Sequence, residues 1–172
     1  MSDFSLPALR SLGKLADIRP CIVVDSREQT PLRFTRLQSV QGSLTSGDYS
    51  IVGCESLFSI ERKSVADLVG CVTKERDRFV RELIRLRGYD FARLLIIGNP
   101  AEVETGNYRS NVSPKAVMHS IASWEASYIP VVWSPTPETA AALVEGWCYW
   151  YARSIVEKAN DILRGHQRAG AA

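Results

Sequence analysis

Two strand-like segments joined by a short turn constrain this chain more than anything else in it. Asp48-Tyr49-Ser50-Ile51-Val52 and Leu57-Phe58-Ser59-Ile60-Glu61-Arg62-Lys63 flank Gly53-Cys54-Glu55-Ser56, a stretch with turn chemistry. A hairpin with a two-residue loop would set Gly53 against Ser56, and counting back pairs Ile51 with Phe58 and Tyr49 with Ile60. Strand side chains alternate between faces, so these four form an apolar face, on which Arg62 also falls as a partly buried anchor. The opposite face then carries Asp48 directly across from Glu61, with Lys63 next along the same side. Directly opposed positions hold their Cβ atoms about 5 Å apart, so the two carboxylates would repel each other unless they shared a cation.

That trio has a chemistry. Hard divalent cations take oxygen ligands, and an ammonium beside such a site can orient an attacking water and offset charge building on a phosphate during phosphodiester cleavage. The competing reading is that Asp48, Glu61 and Lys63 are ordinary solvated charges. Their surroundings argue against it. Cys21-Ile22-Val23-Val24 is a continuous apolar run suited to a strand buried on both faces, and it ends in Asp25-Ser26-Arg27-Glu28. Ser64-Val65-Ala66-Asp67 reads as an N-cap with an acid three residues on, which opens a helix directly after Lys63; in that reading Asp67 simply caps the helix.

Gly47-Asp48, followed by Glu61-Arg62-Lys63 and, after three more residues, Asp67, resembles the signature of the XPF-type structure-specific endonucleases. Asp25-Ser26-Arg27-Glu28 matches that family's first acidic motif, and the resemblance spans residues 18 to 133. It implies a nuclease domain of the restriction-endonuclease-like, PD-(D/E)xK kind: an α/β fold with a mixed central sheet flanked by helices, requiring Mg²⁺ or Mn²⁺. The implied substrate is branched DNA, as a flap, fork or junction, and the implied setting is DNA repair or recombination. Carried over residue by residue, Asp48 and Glu61 would ligate the metal, helped by the backbone carbonyl of Arg62. Asp25 and Glu28 would complete the acidic cluster or hold a second ion, Lys63 would act on the water as proton acceptor or fixed charge, and Asp67 would close the motif. The same motif also admits a noncatalytic DNA-binding or dimerisation subunit, a four-way-junction resolvase, or a phage- or restriction-type nuclease on the same core. Many relatives append helix-hairpin-helix modules or a helicase; no Gly-x-Gly occurs in this sequence, so recognition is expected to rest on the nuclease domain, a dimer mate or a partner subunit.

Length and charge set outer limits. The 172 residues suffice for one domain with a real core and not for a nuclease plus a helicase. The domain is expected over residues 18–164, preceded by an N-terminal extension (1–17) and followed by a flexible tail (165–172). A net charge of +2 does not by itself announce a nucleic-acid binder, so the distribution matters more. The basic residues concentrate between Lys74 and Arg87, where helical spacing puts Lys74, Arg78, Arg81 and Arg85 on one stripe and Phe79, Leu83 and Leu86 on a core-facing one. Beside the motif, that ridge and Arg27 are candidates for salt-sensitive phosphate contact; alone it would read as a solvated helix face.

The remaining chain completes an alternating order that indicates a mixed sheet with helical cover. Phe91 to Ile97 reads as a buried strand and Asn99 to Asn111 as a loop, whose Tyr108 and Arg109 either touch nucleic acid or are merely solvated. Ser113 and Pro114 start a helix to about Ser127, and Ile129 to Trp133 reads as an edge strand because Pro130 cannot donate to a ladder. From Pro137 a long helix reaches about Leu163, with Trp147, Trp150 and Tyr151 on a broad aromatic face. That face either closes the core or forms a twofold contact, since Trp and Tyr favour interface centres. The four cysteines show no metal-ligand spacing and read as reduced thiols. With no leader-like N-terminus and no membrane-spanning run, a cytoplasmic location is expected, or a nuclear one in a eukaryote.

Overall fold

The computed structural model describes residues 19–169; the N-terminal extension expected over 1–17 and the last three residues of the expected tail lie outside them. Six strands form one sheet in the order β2-β1-β3-β4-β5-β6: β1 (Ile22–Asp25), β2 (Ser39–Gly42), β3 (Tyr49–Ile51), β4 (Phe58–Ser64), β5 (Phe91–Ile97) and β6 (Val131–Ser134). The β1/β3 and β3/β4 pairs are antiparallel, and β1/β2, β4/β5 and β5/β6 are parallel. Among the described residues five helices cover this mixed sheet: α1 (Val65–Val72), α2 (Arg76–Leu86), α3 (Pro100–Glu104), α4 (Pro114–Ser127) and α5 (Pro137–Ala169).

Strand alternation divides the core into two layers. From β5, Leu94 and Ile96 join a cluster with Leu68 of α1, Leu83 of α2 and Trp124 of α4. Leu95 points the other way and joins Ile22, Tyr49, Phe58, Ile60 and Val144 of α5. The same alternation continues into β4, where Glu61 pairs in register with Leu94, Arg62 with Leu95 and Lys63 with Ile96. Adjacent residues of one strand therefore serve opposite faces.

The β3–β4 register is the expected one, with Tyr49 across from Ile60. The connection is wider than a two-residue loop. Gly53 adopts a positive φ of 83°, the N–H groups of Leu57 and Phe58 both donate to the Cys54 carbonyl, and Val52 bonds to Cys21 on the β1 side. The basic helix also starts later than its periodicity predicts. Thr73 and Glu75 donate their N–H groups to the Gly70 carbonyl, so Lys74 sits in a tight turn and leaves the stripe shared by Arg78 and Arg85. The loop expected at 99–111 contains α3, which Asn99 and Glu102 close with a capping box. Strand β2 had no sequence signature, being exposed or half-exposed throughout. Helix α5 continues to Ala169, past its expected end and through the first part of the predicted tail.

The aromatic face of α5 splits between its two readings. Tyr151 packs on Phe58 with ring centroids 5.3 Å apart and donates its hydroxyl to Asp90 at 2.9 Å. Trp147 lies against Phe91 at 6.1 Å. These two close the intrachain core, whereas Trp150 is 63% exposed. All four cysteines are free thiols, and no helix among the described residues is long and apolar enough to cross a membrane.

One buried acid ties α5 to the long connection between β1 and β2. The Glu145 Oε1 atom accepts three consecutive backbone N–H groups, from Thr35, Arg36 and Leu37, at 2.8, 2.6 and 3.0 Å, and the residue is 4% exposed. Bonds to a charged acceptor are the stronger kind, and removing it strands three donors. Glu145→Ala is expected to lower unfolding stability by about 3 kcal/mol and Glu145→Gln by roughly a third of that. Urea titration with an unchanged slope would check this.

Candidate active site

The site forms where β4 emerges from the sheet. Asp48 precedes β3 and faces Glu61 across the antiparallel pair, and its backbone N–H donates to the Ile60 carbonyl at 2.8 Å. Its Oδ2 accepts the backbone N–H of Arg62 at 2.6 Å. Lys63 donates its Nζ to Glu61 Oε1 at 2.5 Å and lies 5.7 Å from the centroid of the Phe79 ring of α2. A cleft of about 350 Å³ brings Asp48, Glu61 and Lys63 together with Asp25, Arg27, Glu82, Arg78 and Arg85.

Gly47 makes the approach of Asp48 possible. Its φ is +78°, and a Cβ there would stand 2.1 Å from Ser59 Oγ and 3.0 Å from the Ile60 carbonyl oxygen. Only glycine combines that backbone angle with contact so close. Gly47→Ala is expected to cost about 2–4 kcal/mol, the sum of left-handed strain and overpacking, and thermal unfolding would register it.

The four acids divide into two kinds. Both oxygens of Asp25 are occupied: Oδ1 accepts the Arg27 backbone N–H and Nε, and Oδ2 accepts Arg27 Nη2 and the Leu44 N–H, all within 3.0 Å. The bonds from Arg27 hold this carboxyl below its ordinary range, against its burial. Both oxygens of Glu28 are also occupied, by Arg62 Nε and Nη2 at 3.1 and 2.9 Å and by the Thr30 N–H at 2.8 Å. Burial raises Glu28, but Arg62 and Thr30 more than offset it and leave it lowered. Glu28 and the Arg62 side chain therefore form a bidentate pair apart from the residues that line the cleft, and both carboxylates that the sequence offered for a second ion are engaged by arginine.

Asp48 and Glu61 differ. Among the described residues, Asp48 Oδ1 and Glu61 Oε2 accept no hydrogen bond, and neither is sealed from solvent. Burial, and next the Glu61 carboxylate, push Asp48 up to about 7. Burial pushes Glu61 up as well, with Lys63 opposing it. Burial also disfavours the Lys63 ammonium, but Glu61 and Asp48 outweigh it, so the amine is raised and stays protonated. Among the described residues no group of three or more His, Cys, Asp or Glu is arranged to hold a metal ion. The pair nevertheless fits a hard cation in its donor chemistry: two carboxylates with an open oxygen each, destabilised by burial and mutual repulsion. Magnesium characteristically uses one or two carboxylates and fills its remaining positions with water.

Other predicted residues fall elsewhere. Asp67 does not line the cleft; it completes a capping box with Ser64, accepting the Ser64 hydroxyl at 2.7 Å while donating its own N–H to Ser64 Oγ at 3.1 Å. Arg78 and Arg85 reach the cleft wall, Arg78 paired with Glu75 and Arg85 with Glu82. Lys74 and Arg81 are exposed and outside the lining. Arg27 is at the rim with its side chain 70% exposed. Sequence reasoning missed Glu82 as a cleft residue, where it also accepts the Gly47 N–H at 3.2 Å. Its signal was available, because any helix stripe holding Arg78 and Arg85 includes the position four residues after the first.

Comparison with known proteins agrees with this architecture. Residues 24–146 match the family model of the ERCC4 domain, and the chain belongs to that family. XPF from Aeropyrum pernix is similar in fold, with a TM-score of 0.60 and 20% identity over 75% of this chain and 60% of that one. The same protein in complex with DNA aligns with a TM-score of 0.61 and 21% identity over 79% of this chain. This chain thus spans 60–66% of the length of those XPF chains. No curated relative matches the sequence.

The raised acid sets a pH dependence. Asp48 holds its proton more tightly folded, up to about 7, than at its ordinary 3.8. Its contribution to stability is thus complete below that ordinary value and is lost as pH rises through about 7. Asp48→Asn is expected to stabilise the metal-free protein by about 2 kcal/mol near pH 8 and to change little near pH 4. Mg²⁺ should raise the melting temperature of the parent and not of the variant, which differential scanning fluorimetry would test.

Proposed function

We propose that this chain is a metal-dependent endodeoxyribonuclease that hydrolyses phosphodiesters in branched DNA, leaving a 5′-phosphate and a 3′-hydroxyl, in repair or recombination. The observation that carries the reading is the pair of open carboxylate oxygens on Asp48 and Glu61 beside a protonated Lys63. Asp48, Glu61 and the Arg62 carbonyl would hold Mg²⁺ or Mn²⁺. When bound, such an ion lowers the pKa of its water and stabilises charge on the phosphate.

The protein's own groups do the positioning. The Arg62 N–H fixes one Asp48 oxygen and turns the carboxylate across the strand pair toward Glu61. Outside the cleft lining, Glu28 and Thr30 grip the Arg62 guanidinium and hold the strand end still. Lys63, beside two acidic neighbours that favour its charged form, serves as a positive charge that orients water and offsets the phosphate. Arg27, Arg78 and Arg85 at the cleft wall contact flanking phosphates, with Lys74 and Arg81 extending the positive flank.

The test incubates the purified protein with labelled fork, flap, four-way-junction, single-stranded and linear duplex DNA, in Mg²⁺ or in EDTA. Cleavage is expected on branched substrates in Mg²⁺ alone. Lys63→Ala is expected to lower its rate at least about 100-fold, the loss typical of removing one preorganised charge stabiliser, while DNA binding persists. Binding without cleavage under every metal condition would instead assign a noncatalytic subunit.

A further inference from the structure

Outside the cleft lies a larger recess that the proposed chemistry does not use. A cavity of about 1010 Å³ opens between the β1–β2 connection and the start of α5, and Arg33, Arg36 and Arg62 contribute to its wall. It continues through Arg36 and Glu145 into a second depression of about 510 Å³ bounded by Arg19, Tyr149 and Trp150. The recess and the cleft meet at the end of β4, where Arg62 and Ser64 line the recess and Glu61 and Lys63 line the cleft. One strand end thus separates two concave surfaces.

The chemistry along this path is cationic and aromatic. Arg19, Arg33 and Arg36 are exposed, and among the described residues none of them forms an ion pair. The Arg19 guanidinium donates to the Arg36 carbonyl at 3.3 Å, which places the two side by side. Of the acids on the path, Glu145 is buried with one oxygen bonded to three backbone N–H groups, and Glu138 is exposed in the first turn of α5. Trp150 and Tyr149 are 63% and 43% exposed and meet edge to face at 5.4 Å. Arg153 lies 5.2 Å over the Trp150 ring, while paired to Glu157.

Unpaired arginines that follow a groove, ending on exposed aromatic rings, are the combination that binds single-stranded nucleic acid: cations track the backbone and bases stack on the rings. We propose that this recess is a binding track for single-stranded DNA, with Arg33 and Arg36 on phosphates and Trp150 stacking a base. The track would take the unpaired arm of a branched substrate away from the end of β4 while the cleft faces the strand to be cut. This role rests on the nuclease reading; the binding itself does not.

Binding is therefore measured in EDTA, by fluorescence anisotropy with labelled oligo-dT of about 12 nucleotides. The parent protein is expected to bind with a clear salt dependence. Arg33→Ala combined with Arg36→Ala should weaken binding roughly tenfold and reduce the slope of log affinity against log salt by about 1.4, the value for two lost phosphate contacts on a single strand. Trp150→Ala should weaken binding roughly tenfold with the slope unchanged, and Trp150→Phe should restore most of it. Urea unfolding of each variant confirms that these surface changes leave the fold intact. Failure of the parent to bind oligo-dT, or variants that bind like the parent, would overturn the track. So would a parent that sediments as a dimer and becomes a monomer on Trp150→Ala, which would make that ring a contact between copies. Loss of cleavage in every assay with oligo-dT binding intact would count against the nuclease reading and leave the track standing.

Discussion

The structure turns on two carboxylates held face to face across one antiparallel strand pair, Glu61 buried and Asp48 half-buried. Asp48 and Glu61 could lower their energy by moving apart, and several features prevent it. The β3–β4 register fixes their backbones, the Arg62 N–H holds one Asp48 oxygen, and Gly47 admits the chain so close to Ser59 and Ile60 that no other residue fits. Local strain of this kind persists only where the surroundings over-determine it. Burial first and the Glu61 carboxylate next raise Asp48 to about 7, the direction expected of a carboxyl group held away from water beside a like charge.

Arginine decides which acids stay available. Asp25 ends β1 and Asp48 immediately precedes the neighbouring β3, and both border the cleft, yet one is lowered and the other raised. The difference is a guanidinium: Arg27 fills both oxygens of Asp25, and Arg62 does the same for Glu28. The satisfied acids anchor loops, since Asp25 also gathers the Leu44 N–H and Glu28 the Thr30 N–H. The unsatisfied pair is left with open oxygens beside a single ammonium. A motif of conspicuous acids thus separates into scaffold and candidate ligands only once their hydrogen-bond partners are known.

Much of this was legible in the sequence because it depends on strand alternation. Counting from the turn paired Tyr49 with Ile60, placed Asp48 opposite Glu61 and sent Arg62 to the other face, and a wider turn did not alter the register. The helix that begins at Val65 was legible from Ser64 and Asp67, whose spacing forms the cap directly. What escaped was set by distant contacts. The engagement of Glu28 by Arg62 joins residues 34 positions apart, and the Glu145 clasp joins residues 108 to 110 apart. Strand β2 escaped because parallel pairing with β1, and no apolar pattern of its own, makes it a strand. The break before α2 escaped because helical periodicity carries no mark where a chain without proline or glycine turns; only the bonds to Gly70 reveal it.

These long-range contacts form one mechanical series. Helix α5 is fixed to the sheet by Val144, Cys148 and Tyr151, and through Glu145 it holds the backbone of residues 35–37. The same connection is pinned by the Leu32 N–H on the Tyr49 hydroxyl, and through Glu28 and Thr30 it grips Arg62. Arg62 in turn presents its N–H to Asp48. Apart from the exposed bond between Arg62 and the Thr30 hydroxyl, the bonds in the series are buried or half-buried, so they are stronger than their counterparts in water. The geometry of the cleft is therefore set as much from the α5 face of the sheet as from the cleft itself, which is why a strand end can separate two concave surfaces without losing the alignment of either.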